Sequence, residues 1–115
     1  MFIAYVSVTI LAAAANIFSA TLDFTRYKQI LINMARVGVP QSWITTLGIL
    51  KTAGAIGLLI GIGAPLIGTA AAIGLVLFFV GAIIIHLRAR DYSFGLAVVF
   101  LLLAVAALVL RVATL

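Results

Sequence analysis

Apolar and polar positions divide this chain into four long apolar runs with short breaks between them. The runs cover about 2–20, 43–63, 66–87 and 94–110. Each is close to the ~20 residues a helix needs to cross a hydrocarbon core. A lipid-exposed segment must satisfy its own backbone hydrogen bonds, so the runs read as helices. The first connection, 21–42, is different. Asp23, Arg26, Lys28 and Arg36 interleave there with Phe24, Tyr27 and Leu31, and with Ile30, Met34 and Val37, at three- and four-residue intervals. That pattern predicts an amphipathic helix at the interface, ended by Gly38 and Pro40; in the alternative, part of it extends the first span. The break from Gly61 to Pro65 is uncharged and predicts a tight hairpin between the second and third spans. The expected fold is all-α: one polytopic membrane domain over 1–115, a compact four-transmembrane-helix bundle with both termini on one side.

Composition reinforces this pattern. Of 115 residues, 67% are hydrophobic, against roughly 45–50% in a soluble domain. Four spans leave little chain for anything else. The stretch from Phe2 to Phe18, followed by Ser19-Ala20, resembles a signal peptide, but no Lys or Arg precedes it and it is long for a signal core. It is expected to be an uncleaved span. The net charge of +5 comes from basic residues scattered at helix ends, without the block or aromatic-lined groove that nucleic acid requires. No cysteine is present, which excludes disulfides and thiolate metal sites, and a single histidine cannot build a multi-histidine centre. Arg26, Lys28, Arg36, Arg88 and Arg90 fall on one side of a four-span topology, with only Arg111 opposite, anchoring the far end of the fourth span. The positive-inside rule puts that basic side in the cytoplasm of a bacterial plasma-membrane protein and both termini outside.

Lys51 is the one charge inside the second run. An ammonium at that depth must snorkel, line a polar pocket or meet another subunit. It follows Trp43 by eight residues, roughly 12 Å of helix, and its stem leans toward the basic side. Asn16 is the expected depth-matched partner, its amide oxygen accepting from Lys51. Thr45, Thr46 and Thr52 offer hydroxyls that equally bond their own helix. His86, Arg88, Arg90 and Asp91 form a second cluster, with His86 and Arg90 on one face if the helix runs that far. Asp23 pairing with Arg88, or Asp91 with Arg26, would tie the rim together. Ala53, Gly57 and Gly61, then Gly74 and Gly81, have the small-residue spacing that lets membrane helices approach closely. No catalytic, phosphate-binding, dinucleotide or zinc motif appears.

The ordered pieces Val37-Gly38-Val39-Pro40, then Leu47 to Leu59 through Lys51-Thr52-Ala53-Gly54, then Gly81 to His86 with Arg88 and Asp91, resemble the DoxX-like family of small bacterial four-helix membrane proteins. The resemblance implies a compact bundle and a matching histidine at His86. Family members often carry an acidic residue in span two where this chain has Lys51, so a carboxylate-based proton relay or cation site does not carry over. Relatives are associated with membrane oxidoreductase systems and quinone-linked chemistry, which makes a quinone a candidate cofactor.

The function expected is a small membrane subunit that binds a lipid, a quinone-like molecule or a membrane-protein partner through Lys51, Asn16 and His86. One alternative is a quinone-linked oxidoreductase component whose electrons come from a redox subunit. Another is a small-molecule transporter working as a homo-oligomer.

Overall fold

The computed structural model describes residues 1–26, 28–91 and 95–114; the reading placed on Tyr27 and the start of the fourth run at Phe94 lie outside them. Among the described residues five α-helices follow one another: α1 Phe2–Phe24, α2 Lys28–Arg36, α3 Ile44–Ile60, α4 Pro65–Arg88 and α5 Gly95–Ala113, with a 3-10 turn Gln41–Trp43 leading into α3. Four of these stretches are long and apolar enough to cross a membrane: α1, α3 with its leading turn, α4 and α5. The molecule is 41 Å along its longest axis, enough for a hydrocarbon core of ~30 Å and part of the headgroup layers. This is a four-transmembrane-helix bundle.

The long helices form a ring in which α1 and α4 each pack against α3 and α5. The centre is built from small residues: Ala12, Ala72, Ala104 and Ala107 pack with Leu58, Leu75 and Phe79. Large apolar side chains such as Ile3, Leu66, Leu77 and Leu96 face outward, as they do when lipid rather than water surrounds a bundle.

Of the small residues the sequence suggests, the structure puts Gly57 and Gly61 on a helix seam and Ala53, Gly74 and Gly81 off it. The α3–α4 seam uses Gly54, Gly57 and Gly61, opposite Leu75, Ala71 and Gly68. A Cβ on Gly61 would run into the Gly68 backbone, so this crossing tolerates no side chain. Gly74 and Gly81 are not packing positions: among the described residues a Cβ on either meets nothing within 4 Å. Ala53 is exposed. Spacing alone puts these three on a seam, but spacing does not say which way a face points.

Two helix ends position the polar side chains. Helix α1 continues past Ala20 to Phe24, which brings Asp23 into the bundle at 2% exposure rather than onto a connection. Helix α4 stops at Arg88. Arg90 there takes a left-handed φ of 56°, while its N–H bonds the Leu87 carbonyl and the Asp91 N–H reaches the His86 carbonyl at 2.9 Å. This Schellman cap turns Arg90 off the face of His86, so the two do not share one.

Candidate functional site

The buried face of α1 carries Thr9, Asn16 and Asp23 at intervals of seven, two helical turns each. Ser19 lies one turn before Asp23 on the same side. Across the α1–α3 contact sits Gly48, and a Cβ there would come within 3.0 Å of the Phe24 ring and 3.3 Å of the Asp23 Cβ. Its missing side chain lets the end of α1 close on α3. Lys51, one turn further along α3, reaches back over that gap, because helical side chains incline toward the N-terminus.

Its ammonium donates to Asp23 Oδ2 at 2.9 Å and to Ser19 Oγ at 2.9 Å. The two charged side chains are 12% and 2% exposed, so water screens the pair little. The Phe78 ring of α4 lies 5.8 Å from the same nitrogen. Lys51 therefore neither snorkels free nor waits for another subunit: it closes an interhelical ion pair at the edge of the bundle. An ammonium has three N–H groups, and two are committed.

Asn16 does not join it. Its amide nitrogen donates to the Ala12 carbonyl of its own helix at 2.8 Å. Its Oδ1 has no hydrogen-bond partner among the described residues, and neither does Thr9 Oγ1. Sequence reasoning points to Asn16 because hydropathy ends α1 too early. Asp23, seven residues on, lies on the same face and carries the charge that Lys51 needs. Thr52 bonds its own helix at Gly48, while Thr45 and Thr46 are exposed.

Lys51, Asp23 and Ser19 open onto a cavity of about 480 Å³ between the ends of the helices and α2. Its walls are mainly apolar, from Met34, Leu47, Phe78, Phe79 and Phe100, and His86 is part of the wall. The His86 Nδ1 lies 2.8 Å from the Ala82 carbonyl. A carbonyl only accepts, so Nδ1 carries the proton and the ring is held in one orientation.

The rim differs from both expected pairings. Asp23 is taken by Lys51, and Asp91 lies 3.8 Å from Arg36. Arg26 contacts Gln41 Oε1 at 3.5 Å, and Arg88 and Arg90 are exposed. At the opposite end, Arg111 is not the outward anchor its position suggests but is buried at 5% exposure. Its guanidinium lies 4.3 Å from the Tyr5 ring centroid, and Nη1 donates to the Gly61 carbonyl at 3.0 Å. One side chain thus ties α5 to α1 and to the α3–α4 turn. Among the described residues no three His, Cys, Asp or Glu side chains gather as a metal site would require.

Residues 7–109 match the DoxX-like family. No curated protein and no solved structure is significantly similar to the chain.

Proposed function

The chain belongs to the DoxX-like family of membrane proteins, and on that footing we propose that it binds a hydrophobic small molecule, a lipid or a quinone-like compound, in the cavity beside Lys51. One observation carries the reading: a cavity of about 480 Å³ has mainly apolar walls and a few polar side chains, the joined Lys51, Asp23 and Ser19 together with Asn33 and His86. Small-molecule sites typically combine a volume of ~300–1,000 Å³ with apolar walls and a few placed polar groups. The third ammonium N–H of Lys51 is the natural donor for an oxygen on the occupant. A quinone meets these criteria too, since its carbonyl accepts a hydrogen bond and its tail is apolar. Lys, Asp, Ser and His side chains supply no electrons, so a redox role would need a partner subunit.

The orientation that accompanies this reading puts the basic rim in the cytoplasm, because Lys and Arg near span ends are retained there. Native mass spectrometry of the protein released from bacterial membranes tests the binding. The expected result is a bound hydrophobic adduct on the wild type, lost on Gly81→Leu, where the new side chain fills cavity space that a Cβ enters freely. An adduct retained in full by a folded Gly81→Leu protein rejects the site. Stoichiometric recovery of a redox subunit would move the reading to an oxidoreductase component.

A further inference from the structure

The cavity beside Lys51 has a neighbour. A second hollow of about 340 Å³ lies between the 37–43 segment and the last turn of α4, and Val37, Val39, Trp43 and Ile85 line both spaces. The two hollows adjoin through these residues, an inner chamber and an outer one. The chambers differ in charge. In the inner one Asp23 already neutralises Lys51, so a charged headgroup driven inward would lose its hydration and find no unmatched counter-charge.

The outer chamber is lined by Arg88, which makes no ion pair or hydrogen bond among the described residues. The carbonyls at the end of α4 do not occupy its guanidinium. Those of Ile85, His86 and Leu87 accept instead from the N–H groups of Ala89, Asp91 and Arg90. Elsewhere on the same rim, Arg26, Lys28, Arg36 and Arg90 are all exposed. The chain has two acidic side chains, and both are engaged, Asp23 with Lys51 and Asp91 beside Arg36. The outer chamber therefore presents positive charge with no acid left to balance it. Trp43, half-exposed on the shared wall, belongs at headgroup depth.

We propose that the two chambers join into one groove and hold an anionic phospholipid of the surrounding leaflet, head outward, with its phosphate on Arg88 and one acyl chain in the inner chamber. The proposal rests on the reading of the cavity as a hydrophobic-ligand site and adds the charge and direction of the occupant. It follows from complementarity at both ends: phosphate meets the unbalanced guanidinium, and hydrocarbon meets the aromatic wall of Phe78, Phe79 and Phe100.

Trp43 is the only tryptophan in the chain and lines both chambers, so its fluorescence reports occupancy directly. The full-length protein is placed in zwitterionic nanodiscs containing a small fraction of tail-brominated phosphatidylglycerol or tail-brominated phosphatidylcholine, and quenching is measured. The expected result is a preference for the anionic lipid of about fivefold, the factor one guanidinium near an anionic surface supplies. Arg88→Gln should abolish the preference and Arg88→Lys should keep it, while Gly81→Leu should reduce quenching by both lipids. Circular dichroism and gel filtration identify which variants are folded. Equal quenching by the two lipids in the wild type, with Gly81→Leu still effective, overturns the anionic head and leaves the cavity reading standing. Quenching that Gly81→Leu does not change overturns both. Inorganic phosphate that removes the preference at millimolar concentration overturns the lipid as occupant in favour of a small-anion site.

Discussion

Lys51 shows how a charge is kept inside a hydrophobic span: it is matched on the adjacent helix and the match is made possible by a residue with no side chain. The Asp23 carboxylate is 2% exposed and 2.9 Å from the ammonium. Forming such a pair from solvated ions is not a large source of stability, because desolvation offsets the attraction. Removing one member is a different matter, since it strands the other. Lys51→Met should therefore destabilise the protein by about 3–5 kcal/mol, and Lys51→Met combined with Asp23→Asn should recover much of that. Thermal unfolding of the single and double variants in detergent measures the coupling; additive losses would mean the ions do not depend on each other. Arg111 is matched differently, by a ring and a carbonyl. Tyr5→Leu should cost about 2 kcal/mol, the scale of a desolvated cation–π contact, and Tyr5→Phe should cost far less. The sequence marks the Lys51 problem clearly but not its solution. Thr9, Asn16 and Asp23 repeat every seven residues, a polar stripe legible in principle, yet two of its members sit in an apolar run and the third among charges. Hydropathy alone separates them.

At the scale of elements, the four apolar runs translate well into helices because lipid leaves the backbone few alternatives. Ends are less legible. Nothing in the composition of Thr21 to Phe24 shows that α1 continues for one more turn; its continuation is favoured by the fit of Asp23 and Phe24 against Gly48, a contact between distant positions. Glycine spacing is ambiguous for the same reason. Gly61 and Gly74 look alike in sequence, but one touches the Gly68 backbone and the other faces open space. Gly61→Ala should force α3 and α4 apart and cost about 1–3 kcal/mol, as overpacking does. Gly74→Ala should instead stabilise α4 by up to about 1 kcal/mol, since alanine is the better helix former and meets no neighbour. Parallel melting curves decide it, and equal responses would show that the α3–α4 crossing is looser than the backbone contact implies.

Across the whole molecule the charges are strongly polarised. Five of the basic residues, Arg26, Lys28, Arg36, Arg88 and Arg90, gather at the end of the bundle where α1 finishes and α3 begins. Lys51 lies inside that end, neutralised by Asp23, and so adds nothing to the asymmetry. Arg111 is folded inward at the other end, which leaves the opposite rim without an exposed cation from any spanning helix. Burial thus sharpens an asymmetry that counting residues only suggests. The positive-inside rule then predicts a basic rim in the cytoplasm. The chain contains no cysteine, so a single introduced thiol reports its side without background. Ser42→Cys sits in the exposed 3-10 turn at the basic rim, and Gly63→Cys lies in the exposed α3–α4 turn at the far end. In intact cells with the outer membrane opened, an impermeant maleimide should label the residue-63 variant at once and the residue-42 variant only after the inner membrane is disrupted. The reverse pattern would place the basic rim outside and make the Arg88 groove a site for the outer leaflet. Equal labelling of both would mean that copies insert in both directions, an outcome expected only if exposed charge on this rim were too weak to set topology.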